Sequence, residues 1–333
     1  MNIGLNKIYT GLSISSSCVN AVQVQKNKTG WELLRWAHHP FSQGEQRYSF
    51  QNTNAPDFMK LATAISKVIQ PMDIKKSAIG LALPCEVIKL SIKNYKNLPE
   101  TDALITKMIA WEMEKALQLS PASLRTDYYR TELPPKKASA RLLAAIGVDA
   151  VLNEYESLCS ELKLEIRTIA PAALCQLNFY SPVLPTSGII AFGGLFENFF
   201  TLFIIENGQI KFYQGIKKRP VRNYYRNDID RVLQFYSQEN WDKPVETLYI
   251  GSQIGDRIKL EPLFKSLANI KTVMPDEHEL ISLNTDCQKS EIKQGLNTFS
   301  TAIGAAQSLA PAETNPFDFL KMWAAKLKGA GTR

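Results

Sequence analysis

Histidine is scarce: there are three in 333 residues, and only His38 and His39 stand together, far from His278. No H-E-x-x-H helix and no G-x-S-x-G elbow occurs, which removes zincin-type metalloprotease and α/β-hydrolase chemistry. The five cysteines, Cys18, Cys85, Cys159, Cys175 and Cys287, are odd in number, widely spaced and without a C-x-x-C pair. A disulfide framework and a structural zinc site therefore have no support, and no metal is expected. A long uncharged apolar run is also missing. The most apolar stretch, Gly188 to Ile205, carries Glu197 and Asn198 near its centre, and fits two buried strands and a turn rather than a membrane span. The opening residues mix apolar side chains with Asn, Lys and Ser, unlike an export signal, so a cytoplasmic location is expected.

What is present is a chain long enough for a large core and for two or three domains, with 45% apolar and 21% charged residues. Lys and Arg number 39 against 32 Asp and Glu, a net charge of +7. That excess permits attraction to anionic lipid or nucleic acid but specifies neither.

The hydrophobic pattern orders the elements. Leu12, Ile14, Val19, Ala21, Val22 and Val24 flank the small polar run Ser13 to Asn20, which reads as strand, tight turn, strand, with a third strand at Trp31 to Trp36. The residues from His38 to Pro56 read as irregular. A helix is predicted over Phe58 to Ile69 and a buried strand over Ser77 to Leu83, ended by Pro84. Glu86 to Ile92 reads as a strand and Glu100 to Leu117 as an amphipathic helix. In that helix Leu104, Met108, Trp111 and Lys115 recur at three or four, and Ile105, Ile109 and Met113 widen the apolar side. Strands at Thr126 to Thr131, Ser139 to Ile146 and Glu165 to Thr168, with a helix from Asp149 to Leu162, complete a β-α-β-β-α-β order of ferredoxin-like type. The flanking segments belong to a larger α/β body, so the module reads as an insertion. Beyond it come a helix from Ala170 to Asn178, strands at Gly188 to Phe192 and Phe199 to Ile205, and a hairpin at Asn207-Gly208. Helices from Asn227 to Ser237, Ile254 to Leu267 and Thr298 to Leu309, with a strand at Thr247 to Ile250, close the body.

The order of these elements resembles the actin-like superfamily, and within it the PilM-type proteins of type IV pilus assembly, related to FtsA and to the L proteins of type II secretion. The residues that carry the resemblance run through most of the chain. Gly11 to Val22 matches the first phosphate turn, with the family Asp falling on Ser13, its Gly on Ser15 and its usual Lys on Asn20. Ile109-Ala110-Trp111-Glu112-Met113-Glu114 is similar to a tryptophan-glutamate helix in the inserted domain, and Asp127-Tyr128 to the strand after it. Leu142 to Asp149 and Ile169-Ala170-Pro171 match the return to the body, and Asn227 to Tyr236 a late helix. The second phosphate turn matches Ile190 to Gly194, with the family Asp falling on Ala191.

The resemblance implies a duplicated ribonuclease H-like, actin-like core with an inserted ferredoxin-like α+β domain. Residues 1–85 and 169–310 form the core, 86–168 the insert and 311–333 an amphipathic tail. It further implies a nucleotide site, at Ser15, Ser16, Ser17, Gly193, Gly194 and Gly251 if nucleotide binding survives. Both family carboxylates are missing, and about a dozen residues separate Gln214 from Asn227 where the family has a longer helical lobe. The expectation is thus a non-catalytic scaffold without cofactor, with ATP and Mg²⁺ use as the alternative. The three serines also read simply as a turn.

The partner implied by the resemblance is the cytoplasmic tail of an inner-membrane pilus or secretion protein, held in a groove between body and insert, with a homo-oligomer possible. Trp111 is a candidate for that contact, although its helical spacing equally fits a core position. In the tail, Asn315 and Pro316 fit a helix start, and Phe317, Leu320 and Trp323 are candidates for a contact with the membrane machinery or the interface, or for packing on the body. Lys217, Lys218, Arg219, Arg222 and Arg226, with Tyr224 and Tyr225, form a basic group that reads as a solvated connection. Lipid, acidic-partner and nucleic-acid contacts are its alternatives, and without a recognised module nucleic acid is not expected.

Overall fold

The computed structural model describes residues 7–42, 47–52, 58–72, 74, 78–131, 140–218, 224–254 apart from 240–243, 260, 262, 264, 270–288, 292 and 295–311. Two large sheets and one small sheet organise the chain. The first begins with an antiparallel meander, β1 (Ile8–Ile14), β2 (Cys18–Asn27) and β3 (Gly30–Pro40). Strands β4 (Ala78–Leu83) and β8 (Glu165–Pro171) then add in parallel beside β1. The second sheet repeats the plan with β9 (Ile189–Leu195), β10 (Phe199–Glu206) and β11 (Gln209–Lys217) as the meander, and β12 (Thr247–Ser252) and β13 (Lys271–Val273) in parallel beside β9. A short β14 (Ser282–Leu283) closes the outer edge of the first sheet against β3. This is the duplicated actin-like plan that the element order predicts.

The meander turns follow from local chemistry. Asn207 and Gly208 both adopt positive φ, 50° and 77°, as a tight two-residue hairpin requires. Strand β3 runs through His39, further than expected, because its backbone continues the ladder with β2 as far as Cys18 opposite Pro40. His38 therefore lies on a strand. Its Nδ1 stands 2.7 Å from Asn20 Oδ1, and Asn20 Nδ2 donates to Thr298 O at 2.9 Å.

The small sheet holds β5 (Lys89–Tyr95), β7 (Ala140–Val148) and β6 (Leu124–Arg130) in that spatial order, all antiparallel. Helices α2 (Asp102–Leu117) and α3 (Asp149–Glu161) cover it through Ile105, Ile109, Val151, Leu152, Tyr155 and Leu158. The strand expected to complete a four-stranded ferredoxin-like sheet is β8, and it pairs with β4 instead. Its buried run Thr168 to Pro171 extends the first large sheet, so the module keeps three strands and its last element is α3, short of the expected boundary at 168. The module is not a separate bead. Leu12, Ile65 and Leu81 of the body share one apolar cluster with Ile105, Tyr128 and Tyr155 of the insert, under α1 (Phe58–Ile69).

Two helices join the large sheets. α4 (Ala172–Tyr180) follows β8 directly, and every residue of it is buried. After a four-residue helix, α6 (Thr285–Gln288), the same is true of α7 (Ser300–Gln307). Such all-round burial needs small side chains at the contacts, and three glycines supply them. A Cβ on Gly11 would lie 1.9 Å from Ala302 O, one on Gly80 2.2 Å from Ala305 O, and one on Gly304 1.8 Å from Cys175 O. α7 thus packs backbone-to-backbone on β1, β4 and α4. Asn178 Nδ2 donates to Gly304 O at 3.0 Å and secures the helix crossing.

The expected late helix is α5 (Tyr224–Glu239), with Ile229 and Tyr236 buried against the second sheet. The sequence-expected helix Ile254 to Leu267 falls largely outside the described residues, as does the 311–333 tail apart from Pro311. Phe317, Leu320 and Trp323 therefore have no described position.

Replacing Gly304 with Ala should test the α4–α7 contact by its sign. Helix propensity alone favours Ala by about 1 kcal/mol. A Cβ driven into a backbone carbonyl has no flexible neighbour to move, so overpacking wins, with a net loss of about 2 kcal/mol or more in urea unfolding. Gly295→Ala, whose Cβ would meet only Thr298 Oγ1 at 3.9 Å, should stay within about 0.5 kcal/mol.

Candidate functional site

The β1–β2 and β9–β10 turns, at matching positions in the two sheets, meet across a cleft. Ser15, Ser16 and Ser17 form the first turn. Ser15 N donates to Cys18 O at 2.9 Å, and Cys18 N returns a bond to Ser15 Oγ at 3.1 Å. Ser15 Oγ also lies 3.3 Å from Ser17 Oγ and donates to Cys18 O at 3.0 Å. Two of the three hydroxyls are thus engaged within their own turn. The third spans the cleft: Asn198 Nδ2, at the tip of the opposite turn, donates to Ser16 Oγ at 2.9 Å. The Asn198 turn is itself tied down, since Lys218 N donates to Asn198 O at 2.8 Å and Lys218 Nζ to Glu197 O at 3.3 Å. Two members of the basic group, Lys217 and Lys218, therefore stand at this hairpin. Arg219 and Arg222 lie outside the described residues, and so does the Arg226 side chain.

The glycines expected to bind phosphate each lie close against a neighbouring side chain. Gly193 and Gly194 lie within β9, not in its turn. A Cβ on Gly193 would meet Phe200 Cζ at 2.6 Å and Ile250 Cδ1 at 2.7 Å. One on Gly194 would meet Gln176 Oε1 at 2.4 Å and Thr201 Oγ1 at 2.6 Å, and one on Gly251 the Tyr180 ring at 2.5 Å. At each of these positions the glycine admits a neighbouring side chain. The two family carboxylate positions are equally enclosed. Ser13 is buried in β1, and Ala191 lies in an apolar cluster with Leu195, Phe200, Leu248 and Ile250. Asn20, where the resemblance expects Lys, is buried and commits its amide to Thr298 and His38. Among the described residues no group of three or more His, Cys, Asp or Glu is placed to hold a metal ion, and Mg²⁺ requires an oxygen-rich, near-octahedral shell.

Glu86 and Tyr48, beside these turns, carry no family motif. Glu86, three residues after the end of β4, has its carboxyl pushed up by desolvation, an effect partly offset by Lys217 and by a hydrogen bond from Asn198. Tyr48 donates to Ser15 O at 3.2 Å and is raised by burial and by Cys18 and Glu86. Burial also raises the Cys18 thiol, against the opposing hydrogen bonds of Ser15, Ser17 and Asn20. Ser13 Oγ, both side-chain polar atoms of Gln176 and Gln253 Nε2 are buried without a hydrogen-bond partner among the described residues. Proximity of Glu86 to Asn198 depends on the two sheets facing each other, so no local pattern could have singled it out.

Trp111 stands elsewhere, on the insert. Thr101 caps α2 by accepting from Leu104 N, and Gln118 ends it in the left-handed conformation at φ 55°. Ile105 and Ile109 turn toward the sheet, whereas Trp111 is 70% exposed and Leu104 51% exposed. The single apolar stripe expected from spacing divides into a buried face and an exposed one, and the core position weighed for Trp111 is not the one it occupies. The exposed face lines a groove of about 680 Å³ with Pro99, Met108, Lys107 and Lys115. Among the described residues no helix is long and apolar enough to cross a membrane.

No protein-family model and no curated protein sequence matches the chain. Solved structures do. A PilM–PilN type IV pilus biogenesis complex matches at a TM-score of 0.73 with 14% identity, over 90% of this chain and 97% of that one. The cytoplasmic domain of EpsL, an inner-membrane component of the Vibrio cholerae type II secretion system, matches at 0.50 with 8% identity, over 93% and 98%. At such identities the likeness establishes the actin-like fold that the motifs and the paired sheets indicate.

Glu86 provides a pH test. An ordinary carboxyl in the unfolded chain ionises before this desolvated one, so folding stability falls as pH rises through that interval and remains reduced above it. Glu86→Gln removes this loss while keeping a hydrogen-bonding side chain for Asn198. The variant should be more stable than wild type at pH 7, with the difference vanishing below about pH 4, near the model-peptide carboxyl value. Urea titrations across that range check both limits.

Proposed function

We propose that this chain is a non-catalytic cytoplasmic platform for assembling a type IV pilus or a related secretion machine, recruited by the cytoplasmic tail of an inner-membrane protein. The single observation that carries the non-catalytic part is the Asn198–Ser16 hydrogen bond, which joins the two turns directly where an actin-like nucleotide would lie between them. Side chains fill the space beside Gly193, Gly194 and Gly251, neither Ser13 nor Ala191 supplies a carboxylate, and Asn20 faces inward. These residues do not fit Mg-ATP. Only residues 218–223 separate β11 from α5, which leaves little chain for an adenine-side lobe. The assembly part rests on the shared fold with the pilus complex and the secretion component, over nearly the full length of each.

A second reading, an ATP-binding assembly protein, is kept in view by one observation. Ser13, Gln176 and Gln253 leave buried polar atoms without partners, a hydrogen-bonding capacity that a small polar ligand could take up. Titration calorimetry with and without Mg²⁺ decides between the two. The platform predicts no saturable ATP binding at millimolar nucleotide and no turnover above background. Turnover of about 1 s⁻¹, ordinary for an enzyme, that falls on replacing Ser15 would overturn it.

Recruitment has its own test. Membrane fractionation with and without the inner-membrane partner should show strong dependence on the partner and only partial dependence on residues 316–333. Equal membrane association without any partner, abolished by deleting those residues, would replace recruitment by direct amphipathic anchoring.

A further inference from the structure

The exposed face of α2 carries two large apolar side chains, Leu104 and Trp111, that take no part in the site between the two turns. Trp111 and Leu104 stand outside the core one above the other, seven residues and two helical turns apart, with Met108 between them at the groove floor. Exposed tryptophan on this scale is uncommon in a surface that only meets water, and tryptophan leads the residue types that anchor interfaces.

The charges on the rim select among occupants. Glu112 is already committed, to Lys93 Nζ at 3.1 Å and Tyr95 OH at 2.8 Å. Lys107 and Lys115 lie on the same groove, are exposed, and make no ion pair among the described residues. Eight residues of helix place their backbones about 12 Å apart. A second copy docking through this face about a twofold axis would bring two such lysine pairs together, an arrangement that like-charge repulsion opposes. The tail of this chain, with Lys321, Lys326 and Lys328 beside its apolar positions, carries the same wrong sign.

We infer that the α2 groove is a docking surface for an amphipathic helix of another protein, one whose apolar stripe covers Trp111, Leu104 and Met108. That helix bears two carboxylates about two turns apart, which meet Lys107 and Lys115. Trp111 fills the partner's apolar face and supplies affinity. The lysines set orientation and partner choice, because exposed ion pairs contribute more to specificity and encounter rate than to binding strength. This surface is distinct from the cleft and stands whether or not nucleotide binds there.

A display library of helix-length peptides selected on the full-length protein tests the inference. Binders should be enriched in an apolar i, i+3, i+7 stripe with Asp or Glu about two turns apart. Trp111→Ala should weaken them about tenfold or more, a loss within the range of anchor truncations, and should leave cooperative unfolding unchanged because the side chain is exposed. Lys107→Glu with Lys115→Glu should invert the selection toward Lys and Arg at the same spacing. Failure to recover any Trp111-dependent binder, or recovery of binders without acidic bias, overturns the inference. So does a sedimentation shift showing self-association that Trp111→Ala abolishes, since the face would then be an interface between copies.

Discussion

The two halves of this protein are joined where a helix is pressed against backbone. α7 reaches β1, β4 and α4 at distances that leave no room for a Cβ on Gly11, Gly80 or Gly304. Close packing of this kind gains dispersion contacts over the whole length of two short helices, and excludes water from all of their faces. It also exposes backbone carbonyls to neighbours that must be compatible. Asn178 answers Gly304 O, and Asn20 answers Thr298 O while holding His38. With α4 and α7 fixed in this way, the two meanders are held face to face, and their turns come within side-chain reach of each other.

That juxtaposition gives the cleft its character. In a nucleotide-binding turn, small residues leave backbone N–H groups free to approach an anion. Here the same residue types admit protein instead: Phe200 and Ile250 at Gly193, Gln176 and Thr201 at Gly194, Tyr180 at Gly251. Ser15 and Ser17 bond within their turn, and Ser16 is met by Asn198. Glu86, its carboxyl pushed up by desolvation, sits beside these groups. Each contact is modest alone, since a typical intramolecular hydrogen bond contributes about 1 kcal/mol net. Their shared consequence is geometric, because one of them links the two turns directly and the others hold each turn and its strands in place.

The insert shows a different division of labour. Its three-stranded sheet shares a core with the first half of the body, and Gln51 Nε2 donates to Leu117 O at 3.0 Å to hold the end of α2. Arg125 ties β6 to α3 through Asp149, Asn153 and Glu156. One face of α2 is thereby rigidly supported, while the opposite face, with Trp111, is left to solvent. A rigid helix bearing an exposed aromatic is well suited to recognition, because little order must be created when a partner arrives.

Much of the architecture was legible in the chain alone. Alternating apolar residues marked the meanders, Asn207-Gly208 marked its hairpin, and Phe58 to Ile69 formed a helix with the bounds its periodicity assigned. The loss of carboxylates at Ser13 and Ala191 was legible too, because it is a matter of residue identity. Tertiary structure alone decided what partnership those identities entered. β8 had a strand's pattern, but only the competition between two sheet edges assigned it to β4 and left the insert with three strands. Trp111 had the spacing of a core residue, and only the direction of the sheet beneath α2 turned it outward. The glycines announced close approach without saying what approached. Periodicity and composition report the demands of each segment on its own surroundings. Which segment meets which depends on contacts hundreds of residues apart, such as Asn20 with Thr298 and Ser16 with Asn198, and these exist only once the chain has folded.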